Sequence, residues 1–426
     1  MNKRALGVFV GAALCALASQ ASAEIPLVKA KGWDLSLDGR VNSFLSFATG
    51  DSPYATTGVP QWQGFYDYAD ASNNQTTSRV RTGFVQNVLG FTLKKPFGGD
   101  NDLKVRFAPW VGVSQNRSSI DYPAVDVREV YFKVEGPWGG ILVGRDLSLF
   151  SRGAILLDYD IEHNYGLGSP CSLGTVQGGA CGHAGFGILF PGFNAGIVYN
   201  TPEIAGLQLS VGMYDPSAIS ERSYDRTPYP RMMGELTFKV QKYFTASVSG
   251  QWERLGHDAP TFQNADAIGV AGSAGVNVGP VQVGAGGFYA QGGGIYAPLE
   301  NYPLFADDSG VLRHQQGILG LASVSFGNTK IAGGVGVTQI LKTPNDREPF
   351  GSPANPAGST GGTFVKSQFG ASVGLYQHIN ESLVVALEYF RAAYSWYSEV
   401  DPKDMTMVIS PVQTVNLINV GGTVVF

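Results

Sequence analysis

Residues 127–146 read VREVYFKVEGPWGGILVGRD, two strand-like runs that flank a tight turn at 136–140. Alternating apolar and polar residues favour strands, and glycine with proline favours the turn between them. The segment that follows, 146–185, has roughly 40 residues and is too long for an ordinary surface connection. We therefore expect a β-barrel that carries this segment as a long loop, and we expect the loop to narrow the barrel's lumen.

The long loop concentrates acidic side chains. It contains LLDYDIEHNYGLGSPCSLGTVQGGACGH at 156–183, which includes Asp158, Asp160 and Glu162. Clustered carboxylates in a lumen favour cations over anions. The three acids therefore predict a mild cation preference if the loop lies in the lumen. The alternative is that they belong to a solvated outer loop.

The first 23 residues have the organisation of a signal peptide. Lys3 and Arg4 precede a mostly apolar run, which ends in the A-x-A cleavage site at 21–23. Cys15 also allows a lipoprotein signal, but the good A-x-A site argues against it. We expect the mature chain, 24–426, to be exported and to form a single domain.

Composition excludes several classes of protein. Loss of Lys3 and Arg4 changes the formal net charge from −5 to −7, which argues against nucleic acid as a partner because phosphate binding needs clustered Lys and Arg. Charged residues make up 15% of the chain, below the roughly 25% of ordinary globular domains. No apolar run after the signal is long enough for a spanning helix. With 57 glycines and 12% aromatic residues, the chain suits a membrane β-barrel or a large secreted all-β protein.

The opening strand has a period of two residues. At 34–42 (DLSLDGRVN), polar side chains alternate with apolar side chains and Gly39, which gives one polar and one apolar face. In a soluble sandwich the apolar face packs in the core. In a membrane barrel the apolar face meets lipid and the polar face lines water. The period itself is compatible with both.

The lengths of the connections separate these two cases. Sixteen strand-like segments, from 33–48 to 412–426, are joined in strict alternation by seven short turns, such as 241–243, and eight long loops, such as 215–230. Outer-membrane barrels have short periplasmic turns and long extracellular loops, whereas a sandwich has no reason for this asymmetry. The sequence therefore predicts an all-β fold, a 16-stranded antiparallel transmembrane β-barrel that closes when the last strand pairs with the first.

The two remaining cysteines lie in the long loop. Cys171 and Cys181 are ten residues apart in a chain that we expect to be exported, so a disulfide that closes a small loop is the default. A zinc site that adds His163 and His183 is the alternative, but the spacing matches no standard ligand pattern. We predict the disulfide, no bound metal and no cofactor.

Several pieces of the sequence match the pattern of one family in type and order. They are LSLDGRVNSFLSF at 35–47, SRVRTGF at 78–84, REVYFKVEGPWGGILVGRD at 128–146, NAGIVYNTPEIAGLQLSVGMY at 194–214 and the terminal Phe426. In these pieces the chain resembles the general, non-specific porins of Gram-negative outer membranes. The resemblance implies a homotrimer in the bacterial outer membrane, in contact with lipid, whose third extracellular loop (146–185) folds inward. It also implies insertion by the barrel-assembly machinery, with Phe426 as assembly signal.

The resemblance also implies a charged constriction. In such porins, acidic residues on the inward loop face basic residues on the opposite wall. The acidic side matches best onto Asp158, Asp160 and Glu162. The candidates for the basic side are Arg40, Arg79, Arg81, Arg128 and Arg145. The predicted sixth strand, 186–200, lacks the arginine that many porins carry there.

The period of two counts against some of these arginines. Arg79 and Arg81 share parity with Leu89, and Arg128 shares parity with Val130, although both apolar residues are expected to face lipid. A one-residue bulge would turn the arginines to the other face.

These observations predict a porin through which small hydrophilic solutes and ions diffuse passively, filtered for size and charge by the third loop. The alternative is a substrate-specific channel for a sugar or an anion, with a binding site in loops 291–314 and 342–363. A structural or adhesion barrel with a plugged lumen is a third hypothesis.

We expect no enzyme. The segment 370–374 (GASVG) matches G-x-S-x-G, but it lies inside an alternating strand and not at a strand-to-helix elbow. None of the five histidines has an evident Ser or Asp partner in the sequence.

Overall fold

The computed structural model describes residues 24–51, 76–112, 125–173, 176–216, 224–225, 227–257, 264–294, 296–297, 305–307, 310–348, 352, 364–397 and 412–426. The predicted signal peptide at 1–23 lies outside these residues.

The strands follow one another along the whole described chain. They are β1 (Ile25–Ala30), β2 (Trp33–Gly50), β3 (Thr76–Arg81), β4 (Asn87–Pro96), β5 (Asp102–Val111), β6 (Val125–Gly136), β7 (Gly139–Leu147), β8 (Ser169–Leu173), β9 (Val176–Gly182), β10 (Phe193–Asn200), β11 (Leu207–Tyr214), β12 (Tyr224–Asp225), β13 (Arg231–Val240), β14 (Phe244–His257), β15 (Ala265–Val278), β16 (Val281–Gln291), β17 (His314–Phe326), β18 (Thr329–Leu341), β19 (Phe364–His378), β20 (Leu383–Tyr397) and β21 (Val412–Val425). The described residues also include the α-helix α1 (Arg152–Ile161) and 3-10 turns at His163–Tyr165 and Asn345–Arg347.

The predicted 16-stranded antiparallel barrel is confirmed. The sixteen positions run from β2 to β21, and β3 and β4 together form the second position because both pair with β2. The barrel closes where β2 pairs with β21, with Arg40 opposite Val425. Phe426 extends this pairing by two main-chain hydrogen bonds with Gly39, of 2.8 and 3.0 Å. Closure leaves no free sheet edge, as a chain in lipid requires.

Four short strands of the described chain lie outside this ring. β1 folds back on β2 in a hairpin that the sequence did not predict. β8 and β9 form a separate hairpin within the long loop, and β12 pairs with the end of β14.

The two faces of the strands differ as the period of two predicts. On β20, Val385 and Leu387 point outward and are 42% and 49% exposed, while Glu388 and Phe390 point inward and are 3% and 0% exposed. The same alternation of exposed apolar and buried residues recurs in β2 and β21. The outward apolar face suits lipid.

An interruption in the second barrel strand decides the orientation of two arginines. In β3, Val80 faces outward and is 54% exposed, whereas Arg81 is 1% exposed and faces inward. Residues 82–86 are not in strand conformation. In β4 the parity is reversed, because Leu89 is now the outward residue. This interruption turns Arg79 and Arg81 inward although they share parity with Leu89.

A β-bulge has the same effect in β6. Ala108 of β5 is opposite Glu129, but the next residue, Pro109, is opposite Val127, so Arg128 has no cross-strand partner on β5. The extra residue resets the alternation between the two halves of β6. Arg128 therefore does not share the outward face of Val130, and its guanidinium lies over the ring of the inward residue Trp110.

Described residues of the long connection between β7 and β10 pack against the inner face of the barrel wall. The connection occupies residues 148–192, because the predicted sixth strand (186–200) begins only at Phe193. α1 contacts β14, β15 and β16, and the turn His163–Tyr165 contacts β20 at a different part of the wall. A segment that contacts such separate strands crosses the interior. Among the described residues, no helix is both long and apolar enough to cross a membrane.

Glycines on the inner wall make room for the loop. A Cβ added at Gly336 of β18 would lie 1.9 Å from the main-chain oxygen of Phe186. A Cβ added at Gly284 of β16 would lie 2.7 Å from Cδ1 of Ile161 in α1. Because glycine has no side chain, the backbone of the loop approaches the wall more closely than any other residue would permit.

Loop and wall share one hydrophobic core. Phe186 of the loop contacts Phe390 of β20 edge-on, with ring centroids 5.2 Å apart, and both are fully buried. Ile155 and Tyr159 of α1 belong to the same core. Full burial of a large apolar side chain contributes about 1.5–3 kcal/mol. The core therefore fixes the loop against the inner wall.

Candidate functional site

Asp158 of α1 is fully buried and contacts two histidines. Its Oδ1 lies 2.9 Å from Nδ1 of His163 and 2.9 Å from Nδ1 of His183. Its Oδ2 accepts a 2.8 Å hydrogen bond from the main-chain N–H of His183. Asp158 therefore joins the end of α1 to the returning part of the loop, and its carboxylate does not face an open lumen.

Glu162 joins the loop to the barrel wall. Ser372, on the inner face of β19, donates a 2.5 Å hydrogen bond to Oε1 of Glu162. The same hydroxyl oxygen lies 3.0 Å from Nε2 of His183. Glu162 is 2% exposed, so a second of the three predicted acids is withdrawn from solvent.

The charges of this cluster stabilise one another. Burial by itself raises the pKa of Asp158, but the adjacent His163 and His183 outweigh burial and hold that pKa well below its usual value. Burial by itself lowers the pKa of His163, but Asp158 and Glu162 outweigh it and raise that pKa to about 10. Histidinium and carboxylate therefore occur together here, which offsets much of the negative charge that the acids contribute.

Asp160 is the one of the three predicted acids that reaches solvent. Partial desolvation by the surrounding protein raises the pKa of Asp160 to about 6, and Lys330 and Lys239 oppose that increase. Lys330 of β18 also donates a 2.9 Å hydrogen bond to the main-chain oxygen of Asp160. The cations nearest this acid are thus lysines of β13 and β18, which the sequence did not single out.

Arg40 contacts the loop directly. Its Nη1 donates a 2.7 Å hydrogen bond to the main-chain oxygen of Asn164, and its Nη2 donates a 3.0 Å hydrogen bond to the hydroxyl of Tyr159. Arg40 is only 3% exposed. It holds the end of α1 against β2.

The other predicted arginines are distributed over different parts of the wall. Arg79 and Arg81 face inward near the far end of β3. Arg128 forms an ion pair with Asp126, at 2.8 Å, and stacks on Trp110. None of these three has a described contact with Asp158, Asp160 or Glu162.

Arg145 requires a correction. Its Cα lies opposite Val130 of β6, and Val130 is 43% exposed on the outward face. Directly opposite residues of an antiparallel pair share a face. The Cα–Cβ bond of Arg145 therefore points to the outside of the barrel, as that of Val130 does. Nη2 of Arg145 lies 3.6 Å from Oδ1 of Asp126, and its Nε donates a 3.2 Å hydrogen bond to the main-chain oxygen of Phe193. The alternation in β7 could have revealed this outward direction, because Arg145 has the parity of Ile141 and Val143.

Two buried ion pairs were not predicted from the sequence. Arg106 of β5 binds Asp38 of β2, with contacts of 2.6 and 3.0 Å, and lies 3.3 Å from Glu129. Arg152 of α1 binds Glu235 of β13 through Nε at 2.8 Å. The alternation LKVRF at 103–107 carries a signal for Arg106, since its polar residues share one face. No local signal exists for the pairing of Arg152 with Glu235.

A row of three lysines crosses the inner wall. Lys94 of β4 is opposite Lys104 of β5, and Lys104 is opposite Lys133 of β6. They share the inward face of Thr92 and Arg106. Like charges directly opposite each other destabilise a sheet. Acidic side chains offset part of the charge of this row, because Lys94 pairs with Glu24 at 2.8 Å and Lys133 pairs with Glu135. The row runs across three strands, so no single stretch of the sequence displays it.

Ser372 of the segment GASVG contacts His183, a contact that the sequence did not predict. Ser372, His183 and Asp158 contact one another in the order of a nucleophile, a base and an orienting acid, so the expectation that no histidine has Ser and Asp partners is wrong. Two features differ from a hydrolase site. Ser372 lies within β19 and not at an elbow. Its hydroxyl also donates to Glu162, whose negative charge would oppose an oxyanion.

Cys181 is not part of this cluster. Within the described part of the chain, the group of metal-binding residue types around Asp158 contains two histidines and two acids and no cysteine. Sγ of Cys181 lies 2.9 Å from the hydroxyl oxygen of Tyr296. The side chain of Cys171 lies outside the described residues, so its pairing with Cys181 stays a prediction.

Comparison with known proteins gives one family and a set of similar folds. A family model described as Gram-negative porin matches residues 11–349. A search of curated protein sequences finds no match.

Three solved structures illustrate the fold similarity. An anion-selective porin from Comamonas acidovorans has 12% identity and a TM-score of 0.60, over 92% of this chain and 100% of that chain. The outer membrane channel DcaP of Acinetobacter baumannii has 14% identity and a TM-score of 0.61, over 92% and 99%. The trimer form of in-vitro folded OmpT of Vibrio cholerae has 10% identity and a TM-score of 0.50, over 93% and 100%. At these identities the likeness shows the fold alone.

Proposed function

Because the chain belongs to the Gram-negative porin family and is a channel of the bacterial outer membrane, we propose that small hydrophilic solutes and ions diffuse passively through it. The observation that carries this proposal is the closed barrel whose inner wall bears charged side chains while its outer wall is apolar. A 16-stranded barrel is wide enough to hold an aqueous channel. The family and the fold are those of a channel rather than an enzyme.

The loop between β7 and β10 acts as the filter of this channel. It is supported at several separate strands, by Arg40 of β2, Glu235 of β13 and Ser372 of β19. Supports that are spread around the circumference keep a loop across the lumen, where it limits the size of a passing solute. The hydrophobic core around Phe186 and Phe390 adds rigidity to the filter.

The charge of the lumen favours anions weakly. Two of the three acids that suggested a cation preference, Asp158 and Glu162, are buried beside histidines, so their field is largely neutralised. The wall carries the row formed by Lys94, Lys104 and Lys133, whose charge is offset in part by Glu24 and Glu135. Basic groups along a lumen attract anions. Anion selectivity is also the property for which the Comamonas acidovorans porin of similar fold is named.

The protein assembles as a trimer in contact with outer-membrane lipid. The trimer form of the Vibrio cholerae protein has a similar fold, and the apolar outer face offers surface both for lipid and for neighbouring subunits. Insertion by the barrel-assembly machinery uses the C-terminal strand, where Phe426 is hydrogen-bonded at the barrel seam with Gly39.

Single-channel recording tests this function. The purified protein is added to a planar bilayer, and conductance is measured with the reversal potential in a KCl gradient. Large ohmic steps that sugars and small anions do not block support a general channel, and a reversal potential on the anion side supports the charge assignment. Absence of conductance contradicts the channel, and blockade by a single sugar or anion at micromolar concentration identifies a substrate-specific channel.

A further inference from the structure

Four residues of the long loop converge on one point. Asp158 and Glu162 come from the end of α1, His163 from the adjoining 3-10 turn, and His183 from the returning part of the loop after β9. One potential ligand atom from each of them lies within 4.8 Å of the others. All four side chains are buried, with exposures of 2% or less.

Two atoms of this group have no hydrogen-bond partner. Nε2 of His163 and Oε2 of Glu162 are buried without one, although each residue is part of a closely packed polar cluster. Buried polar atoms are almost always satisfied, and an unsatisfied one costs about 1–3 kcal/mol. Two such atoms in one cluster indicate that a ligand belongs there.

We propose that Asp158, Glu162, His163 and His183 bind a divalent transition-metal ion, for which Zn²⁺ is the representative. Imidazole nitrogen with carboxylate oxygen is a donor set that Zn²⁺ accepts, and the absence of thiolate from the set does not weaken it. This proposal concerns the loop's architecture and does not depend on which solutes cross the channel.

The distances fit ligands of one ion. The unpartnered Nε2 of His163 lies 3.7 Å from Oε1 of Glu162, and the unpartnered Oε2 of Glu162 lies 3.8 Å from Nδ1 of His183. Nδ1 of His183 lies 2.9 Å from Oδ1 of Asp158. Ligand bonds to Zn²⁺ are about 2.0–2.2 Å long, which puts neighbouring ligand atoms about 3–3.6 Å apart. Small side-chain rotations therefore bring the group to coordination distance without movement of the backbone.

The charge of the cluster also fits a divalent ion. The two carboxylates are buried, where charge needs compensation, and protonated histidine supplies that compensation only while no ion is bound. One divalent ion neutralises both while the histidines remain neutral, the form in which imidazole binds a metal. The ion would then cross-link α1 to the segment after β9.

Ser372 contacts two of the proposed ligand residues. Its hydroxyl contacts both Glu162 and His183 from the inner face of β19. Groups that hold metal ligands in this way fix the orientation of the ligands. Through Ser372, binding of the ion would also strengthen attachment of the loop to the wall.

The test uses the whole protein refolded in detergent, either with equimolar Zn²⁺ or with a chelator, and then freed of unbound ion. Metal content is measured by mass spectrometry, and Co²⁺ is substituted to record its ligand-field spectrum. The variants are His163→Gln and Glu162→Gln. His314→Gln is the matched control, because His314 bonds to Tyr289 on another part of the barrel. Folding of each variant is checked by heat-modifiable migration on a gel and by channel conductance.

We expect about one Zn²⁺ per chain in the wild type and in His314→Gln, and at least a tenfold loss of affinity in the other two variants. Glu162→Gln keeps nearly the same shape, so it remains informative if His163→Gln does not fold. Excess Ca²⁺ should not displace the bound ion. A wild type without stoichiometric Zn²⁺, or variants that retain it as the control does, would overturn the proposal. Either result leaves the channel function standing, since conductance is measured separately.

Discussion

Nη1 of Arg40 on the first barrel strand donates a 2.7 Å hydrogen bond to the main-chain oxygen of Asn164 in the inward loop. The two residues are 124 positions apart in the sequence. A cation that the sequence assigned to an open constriction thus holds the loop against the wall.

Loss of this contact should loosen the filter. In Arg40→Met the bonds to Asn164 and Tyr159 disappear, and each hydrogen bond to a charged group contributes about 1.5–3 kcal/mol. We expect a destabilised loop, visible as higher open-channel noise and larger unitary conductance in bilayer recordings. Arg391→Met is the control, because Arg391 lies exposed on β20. Equal noise in the two variants would contradict a supporting role for Arg40.

One methyl group on the inner wall should displace the loop. A Cβ at Gly336 meets the Phe186 oxygen at 1.9 Å, whereas a Cβ at Gly320 of β17 has its nearest neighbour at 4.0 Å. Overpacking of this kind costs about 1–3 kcal/mol. Thermal unfolding in detergent should therefore show a lower midpoint for Gly336→Ala and little change for Gly320→Ala. A similar midpoint for both would show that the loop does not press on β18.

The lysine row should set the sign of selectivity. Lys104→Glu reverses one charge in the middle of the row, a change of two units. At about 8 Å through water this amounts to about 1 kcal/mol, or at most about fivefold in the anion-to-cation permeability ratio. The reversal potential should move toward cations, and less so at high salt. Lys242→Glu, in the exposed turn 241–243, should leave it nearly unchanged; an equal shift there would mean that overall charge dominates.

Acid should weaken the contact between Arg313, just before β17, and Asp346, in the loop after β18. Burial raises the pKa of Asp346, but its bidentate bond with Arg313, at 2.8 Å for both contacts, outweighs burial and lowers that pKa below its usual 3.8. Because the folded-state pKa is depressed, the stabilisation is complete above pH 3.8 and is lost as pH falls through the lower folded-state value.

The difference in unfolding midpoint between wild type and Asp346→Asn should thus be large at pH 7 and shrink toward pH 2. Asp266→Asn removes an exposed pair with Arg254 and should have little effect at either pH. A constant difference across this range would show that the Asp346 charge is not responsible.

The face of the barrel on which an arginine lies could not always be predicted from the sequence. Side chains alternate between the two faces within each regular strand segment. The interruption at 82–86 and the bulge at Arg128 each shift this alternation by one residue. Both irregularities depend on which residues of the neighbouring strand pair, and pairing is not encoded by a local pattern. Arg145 has no such irregularity, and there the simple alternation points outward, as the structure has it.

The acids of the loop illustrate a second limit. Their clustering in the sequence identified the right segment, but not whether each carboxylate faces water. Asp158 is buried because His183, 25 residues later, folds back on it, and Glu162 is buried because Ser372, 210 residues later, supplies the wall. Long-range contacts of this kind fix the protonation and exposure of a group, and composition carries no record of them.

The sequence by itself determined the barrel, its sixteen strands, its outward apolar face and the position of the long loop after 127–146. These features follow from a period of two and from the spacing of turns, which act within a few residues. Only the tertiary structure decided that the loop after 127–146 brings two acids and two histidines into one buried cluster, and that lysines on separate strands form one row. Electrostatic and packing energies depend on distance in space, so they are decided only when closure of the barrel sets those distances.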